Sequence, residues 1–157
     1  MVNPLALREE ISKVLCKVRT YDIDKIVAAT SQYAEEIEGF NPEEWLANDL
    51  NIALINENDD IALFENQEGL EKTVCGHYFF WSRGGKAYKA AQEFLVEVFT
   101  NTYIETITGL TPVEHKGALW MNQRLGFKEH GNVDTVVGPC RFVLLTKEQW
   151  KELNNYE

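Results

Sequence analysis

The segment from residue 82 to residue 87 has the composition of an anion-binding turn. It consists of Ser82, Arg83, Gly84, Gly85, Lys86 and Ala87, between an apolar run and an amphipathic stretch. The N-terminus of a helix leaves backbone N–H groups unpaired and carries partial positive charge. Glycines let an anion approach these groups closely, and the two basic side chains add full charges. The pattern is typical of a pyrophosphate site, although a turn that uses glycine only to begin a helix has the same composition.

The preceding apolar run, residues 74–81, contains His77 as a candidate for proton transfer. Neutral histidine has a pKa of about 6.5 and can take a proton from an amine directly or through a water. A structural histidine held between a strand and a helix explains the same residue. Cys75 is a weaker candidate nucleophile, because apolar surroundings raise the pKa of a thiol. The three histidines and three cysteines show no metal-ligand spacing, so we expect no metal site.

A second motif covers residues 115–127. It begins with His115, contains Asn122, and ends in Leu125, Gly126 and Phe127. A glycine after a helical stretch is a common helix stop, so this motif predicts a helix that ends at Gly126.

The spacing of apolar residues predicts the elements that position these motifs. Two apolar runs around a polar turn indicate a β-hairpin, and a strand–helix–strand order in the middle indicates a parallel pair. The expected fold class is α/β, with a mixed and mostly antiparallel sheet flanked by helices. Asp22 or Asp24 is expected to cap the first helix, and Asn41 the second. Helices are predicted over 25–38, 42–50, 85–100, 113–125 and from about 147, and strands over 14–18, 52–55, 61–64, 74–81, 103–107, 133–137 and 141–145.

The charge of the chain argues against polyanionic partners. Its 157 residues carry 25 acids and 15 bases, a net charge of −10, so we expect no nucleic-acid or membrane partner. The charge is uneven, because residues 72–92 contain four bases and no acid. Binding of one small anion by the basic segment 72–92 is therefore compatible with the negative net charge of the chain. The acidic stretch over residues 35–71 would attract a cationic amine, or it is a solvated face.

The length predicts a single domain over residues 1–157, with a helical lead-in over 1–12 and a helical tail over 147–157. No apolar run approaches the roughly 18–20 residues of a membrane span, and the N-terminus lacks a signal-peptide pattern. Three widely spaced cysteines favour free thiols and a cytoplasmic location.

The order and spacing of the two motifs resemble the GNAT superfamily of acyl-CoA N-acyltransferases, over about residues 13–146. In that family a Q/R-x-x-G-x-G/A loop cradles the CoA pyrophosphate. Ser82, Gly85 and Ala87 fit the spacing of this motif. Ser82 stands where the family usually has Gln or Arg, and Arg83 is the next residue in the sequence. The resemblance implies a GNAT-like fold, binding of acetyl-CoA or CoA by residues 82–87 and His115, and acetyl transfer to an amine or protein acceptor.

Three positions depart from the family pattern. The family often has Asn at the place of His115, and a Tyr that protonates the leaving thiolate at the place of Asn122. Asparagine cannot act as an acid, so Asn122 marks either a lost catalytic residue or a different solution. The strand that contains His77 also lacks the Glu that often serves as general base.

A narrower resemblance links the same motifs to GNAT-like proteins encoded by tailed bacteriophages, some of which are tied to virion assembly. It rests on residues 76–78, 83–87, 109–112 and 118–127. This resemblance implies an alternative function, in which an inactive GNAT-fold protein acts in head assembly or host interaction. Its partners would be a phage structural protein or a host protein, in the host cytoplasm.

Overall fold

A computed structural model describes residues 18–33 and 40–155 of the chain. The helices are α1 (Ile23–Thr30), α2 (Pro42–Leu46), α3 (Gly85–Asn101), α4 (Lys116–Leu125) and α5 (Lys147–Asn154), with a 3-10 turn over Ser31–Tyr33 after α1. The strands are β1 (Ile52–Ile55), β2 (Ile61–Asn66), β3 (Thr73–Phe79), β4 (Thr106–Pro112), β5 (Lys128–Thr135) and β6 (Gly138–Thr146). No described helix is both long enough and apolar enough to cross a membrane.

The six strands form one mixed sheet in the order β1-β2-β3-β4-β6-β5. Strands β3 and β4 are parallel, with Thr73 opposite Thr106 and Cys75 opposite Thr108. The pairs β1–β2, β4–β6 and β5–β6 are antiparallel. A parallel pair needs a crossover, and α3 supplies it between β3 and β4. The predicted fold class, an α/β mixed sheet flanked by helices, is confirmed.

The chain divides into two compact units, which we describe separately. The first comprises Met1–Glu65 and His77–Thr102, and the second comprises Asn66–Gly76 and Tyr103–Glu157. The single domain that the length predicts stays a prediction.

The first unit buries both faces of its strands. On one face, residues of α1, α2, β1 and β2 form an apolar cluster with Phe79. On the other, Phe80 stacks on Phe94 of α3, with ring centroids 6.2 Å apart. The apolar stripe of α3 is buried as its spacing of three and four predicts, and it comprises Ala87, Ala90, Ala91, Phe94, Leu95, Val98 and Phe99.

The second unit ends α4 with the predicted glycine stop. Gly126 has a φ of +101°, and the N–H of Phe127 donates to the carbonyl of Asn122 at 3.0 Å. This left-handed residue satisfies carbonyl groups at the end of the helix without the steric cost of a Cβ.

Some predicted boundaries are wrong where a strand partner or a turn decides them. The strand predicted over 103–107 is β4, which runs on to Pro112 because β6 pairs with it up to Cys140. The helix predicted from residue 113 therefore begins only at Lys116. Val136 and Val137, predicted as strand, form the turn between β5 and β6, and Val136 is fully exposed.

Other boundaries shift by a few residues. The helix predicted over 42–50 ends at Leu46, while β3 ends at Phe79 and not at residue 81. The first helix begins at Ile23, with Asp22 as its cap. The lead-in over 1–12, most of the predicted strand 14–18 and residues 34–38 of the first predicted helix lie outside the described residues.

Candidate functional site

The turn over residues 81–84 connects β3 to α3 in the first unit. Gly84 is the N-cap of α3, and no side chain caps this helix. Gly84 has φ +60° and ψ −131°, a conformation that side-chain-bearing residues rarely adopt, which explains why glycine stands here. A Cβ at Gly84 or Gly85 would meet nothing within 4 Å. The surface above both glycines is therefore open.

The first turn of α3 presents amides that its own helix cannot use. Tyr88 is the first residue whose N–H bonds back into the helix, to the Gly84 carbonyl at 3.1 Å. The N–H groups of Gly85, Lys86 and Ala87 precede it and have no intrahelical acceptor. Gly85 and Lys86 are exposed while Ala87 is buried, so the Lys86 ammonium is available to a ligand at this end.

Ser82 and Arg83 are engaged within the turn. The Ser82 hydroxyl donates to Oδ2 of Asp60 at 2.6 Å. The Arg83 guanidinium donates to the carbonyls of Phe80 and Ser82. In this conformation the Arg83 guanidinium is hydrogen-bonded to carbonyls of the turn. It could bind an anion only in a different side-chain conformation.

Asp60 lies just before β2 and is fully buried. Besides the Ser82 hydroxyl, its carboxylate accepts hydrogen bonds from the N–H groups of Trp81 at 2.7 Å and Ser82 at 2.9 Å. The side-chain amide of Asn56 donates a fourth bond at 3.0 Å. Burial acts to raise the pKa of Asp60, but these four hydrogen bonds outweigh it and lower the pKa below its ordinary value.

His77 lies on β3, two residues before Phe79 and on the same face. Its side chain is exposed to solvent, yet the surrounding protein lowers the pKa of His77, because desolvation disfavours the charged imidazolium. The carboxylate of Glu65 acts in the opposite direction. Glu65 accepts a hydrogen bond from the indole of Trp45 at 3.1 Å, which connects α2 to β2.

The other two predicted site residues belong to the second unit. His115 is the N-cap of α4, is exposed, and its side chain makes no cap hydrogen bond. Asn122 is half-buried on α4, and its side-chain amide donates to the Thr111 hydroxyl at 2.9 Å. The structure therefore brings His77 and residues 82–87 into one unit, and His115 and Asn122 into the other. Within the described ranges, no group of three or more His, Cys, Asp or Glu side chains could hold a metal ion.

Comparisons of the sequence and of the structure give different results. No family model and no curated protein matches the sequence. A chimera of the spermidine N-acetyltransferase SpeG from Vibrio cholerae with hSSAT matches the structure with a TM-score of 0.68 at 13% identity, over 85% of this chain and 95% of that chain. The aminoglycoside acetyltransferase AAC(6')-Ib, in complex with coenzyme A and kanamycin, matches with a TM-score of 0.63 at 16% identity, over 87% of this chain and 96% of that chain.

A GNAT-family acetyltransferase from Bacillus anthracis matches with a TM-score of 0.59 at 14% identity, over 83% of this chain and 94% of that chain. The chain has the GNAT fold. At these identities the likeness establishes the fold alone, and the GNAT resemblance of the two sequence motifs is confirmed at that level.

The residue that sequence reasoning missed in this GNAT fold is Asp60. It stands at the end of an acidic turn, directly after Asp59, and nothing in the local pattern separates the two. Asp59 is exposed and forms a surface ion pair with Lys25 at 3.1 Å, whereas Asp60 is buried against the turn before α3. The one available signal is that Asp60 directly precedes the buried run 61–64.

Proposed function

We propose that this protein binds acetyl-CoA or CoA and transfers the acetyl group to an amine. The observation that carries the proposal is the open, uncapped start of α3 at Gly84 and Gly85, in a chain that has the GNAT fold. Two matched structures of AAC(6')-Ib contain coenzyme A. AAC(6')-Ib is named as an aminoglycoside acetyltransferase, and SpeG is named as a spermidine N-acetyltransferase.

Residues 84–87 would hold the pyrophosphate of CoA. The N–H groups of Gly85, Lys86 and Ala87 have no acceptor within α3, and the macrodipole of this 17-residue helix adds partial positive charge at the same end. The exposed ammonium of Lys86 adds a full charge. The open space above the two glycines leaves room for phosphate oxygens to reach the backbone. A contact of His115 with the cofactor, which the GNAT resemblance implies, stays a prediction.

His77 would take the proton that the acceptor amine loses. In acetyl transfer a C–N bond forms, the thioester C–S bond breaks, and the amine proton must leave. A lowered pKa keeps the His77 imidazole neutral, and hence basic, near neutral pH. The Asn122 amide cannot protonate the leaving thiolate, so we assign that proton to water.

The acceptor would be an amine that is cationic in solution, gives its extra proton to water, and attacks the thioester as the neutral amine. The first unit places the carboxylate of Glu65 next in the sheet to the strand that carries His77, and Glu43, Glu44 and Asp49 are exposed on and after α2. A surface of one sign attracts substrates of the other sign and raises their local concentration. The proposed location is a reducing cytoplasm, because the sequence has three widely spaced cysteines.

The pH dependence of acetyl transfer tests the role of His77. With acetyl-CoA and a panel of amines, kcat/KM should fall on the acid side with a midpoint below the ordinary histidine value of 6.5. The sign follows from the lowered pKa, because a histidine that loses its proton more easily stays a base to lower pH. His77→Gln should lower kcat about 100-fold and abolish the fall in kcat/KM on the acid side. His130→Gln, an exposed histidine on β5, serves as the matched control and should leave the profile unchanged. A midpoint above 6.5, or the same fall in kcat/KM in His77→Gln, contradicts the assignment.

A second candidate function keeps CoA binding without transfer. Asn122 favours it, because the side chain at this position donates to Thr111 and has no acidic proton to give. In this candidate the protein acts in bacteriophage head assembly or host interaction. It predicts CoA binding, no thiol release with any amine of the panel, and co-purification with virions or procapsids. Thiol release with one amine, together with absence from both particles, excludes it.

A further inference from the structure

We propose that Asp60 is a positioning residue for the anion-binding turn, and that it holds Trp81 and Ser82 so that only the amides beyond them face a ligand. This inference rests on the proposed function of that turn. Asp60 itself touches no substrate, because it is fully buried.

Both oxygens of the Asp60 carboxylate are committed to the turn before α3. Oδ1 accepts from the consecutive N–H groups of Trp81 at 2.7 Å and Ser82 at 2.9 Å. Oδ2 accepts from the Ser82 hydroxyl at 2.6 Å and from the Asn56 side chain at 3.0 Å. Two successive amides that converge on one oxygen form the kind of concavity that binds anions elsewhere. Here the protein's own carboxylate fills it.

The backbone around Asp60 is itself held by Asn56. Oδ1 of Asn56 accepts from the N–H groups of Asn58 at 2.9 Å and Asp60 at 3.0 Å, which fixes the turn between β1 and β2. A backbone hydrogen bond from Asn56 to the Asp60 carbonyl, at 3.2 Å, closes the same turn. Asp60 therefore has a defined position before it meets residues 81 and 82, and a rigid support of this kind preorganises a binding site.

The consequence is a division of the amides in this segment. Those of Trp81 and Ser82 are consumed inside the protein, while those of Gly85, Lys86 and Ala87 stand at the uncapped start of α3. Gly84, which has a φ of +60°, lies between the two sets of amides in the sequence. Without Asp60, the first set would be free to draw the anion, and the turn would lose the anchor that fixes where the second set lies.

The direction in which the Kd for CoA changes when Asp60 is mutated distinguishes a positioning role from an effect of its charge alone. Removing a negative charge near an anion site strengthens anion binding if charge alone matters. If Asp60 instead positions the turn, removing its side chain weakens anion binding. We therefore expect Asp60→Ala to raise the Kd for CoA at least about tenfold, the size expected when hydrogen bonds to a charged group are lost. Asp60→Asn keeps one acceptor oxygen and should give a smaller rise in Kd.

Two variants serve as controls. Asp59→Ala removes the same charge one residue earlier, from an exposed ion pair with Lys25, and should leave the Kd within about twofold. Ser31→Ala removes an exposed hydroxyl that donates to the carbonyl of Ala28, outside the anion-binding segment, and should also leave the Kd within about twofold. Unfolding of each variant is measured beside calorimetry, because a purely structural role of Asp60 predicts a lower Tm with an unchanged Kd.

Hydrogen exchange on the unmodified chain tests the same division without any variant. The amides of Trp81 and Ser82 should be protected with and without CoA, and those of Gly85 and Lys86 only with CoA. If CoA binds and protects residues 85 and 86, but Asp60→Asn and Asp60→Ala bind CoA as tightly as the unmodified chain, the positioning role is wrong while the proposed function stands. If the unmodified chain does not bind CoA, both are wrong.

Discussion

Helices α3 and α5 begin in opposite ways. At the start of α5, the Thr146 hydroxyl accepts from the N–H of Gln149 at 3.1 Å, and the Gln149 side chain accepts from the N–H of Thr146 at 3.2 Å. This capping box satisfies two amides with the helix's own side chains. At the start of α3, Gly84 offers no side chain, no side-chain cap hydrogen bond is made among the described residues, and a Cβ at Gly84 or Gly85 would meet open space.

The difference separates helix starts that the protein's own side chains cap from those that they leave uncapped. Helices α1 and α2 are also capped, by the side chains of Asp22 and Asn41. The starts of α3 and α4, at Gly84 and His115, have no side-chain cap. These two are the starts that the GNAT resemblance assigns to CoA. Amides that a side chain does not satisfy need water or a ligand, so capping and binding exclude each other at one helix start.

The largest expected effect comes from a carboxylate placed at the first position of α3. Gly85→Glu should weaken CoA binding at least about 100-fold, because the new charge lies against the phosphates. The side chain has room, since a Cβ at Gly85 meets nothing within 4 Å, and an acid in the first turn favours the helix. Its Tm should therefore not fall, and calorimetry can be read as a loss of binding alone.

The matched variant is Lys147→Glu, at the first position of α5. It changes the net charge by more than Gly85→Glu does, yet its Kd for CoA should stay within about twofold. Equal losses in the two variants would show that overall charge, and not the start of α3, governs binding.

A smaller effect is expected at the strained glycine. Gly84→Ala places a side chain at φ +60°, which should lower the free energy of unfolding by about 1–3 kcal/mol. Denaturant unfolding measures this, with Gly85→Ala as the control, because Gly85 does not have a positive φ. If the two substitutions cost the same, the backbone conformation at residue 84 is not what requires glycine.

The smallest effect is expected at the capped helix. Thr146→Ala removes the acceptor for the Gln149 amide and should lower the free energy of unfolding by about 1 kcal/mol. The Kd for CoA should not change, since this start serves stability only. A higher Kd for CoA in this variant would contradict the distinction between capped and uncapped helix starts.

The sequence predicted the features that local chemistry decides. The hairpin of β1 and β2, the caps at Asp22 and Asn41, the apolar face of α3 and the stop at Gly126 all depend on residues within a few positions of one another. Patterns of period 2 and 3.6, together with cap and turn residues, report such features directly.

Features that depend on distant partners were not predictable. The extension of β4 to Pro112 is set by β6, and the burial of Asp60 is set by Trp81 and Ser82, which lie 21 and 22 residues along the chain. Neither partner leaves a mark in the local pattern around residue 112 or residue 60. Asp60 and Asp59 thus look alike in the sequence, although one is fully buried and the other is exposed.

Calorimetric titration of the unmodified chain with CoA tests the central claim most directly, since the claim is that the uncapped start of α3 is an anion site for this cofactor. We expect saturable binding with a Kd below about 1 mM, the upper end of ordinary substrate affinities. Absence of binding heat at CoA concentrations of about 1 mM, confirmed by unchanged exchange at the amides of Gly85 and Lys86, would contradict it.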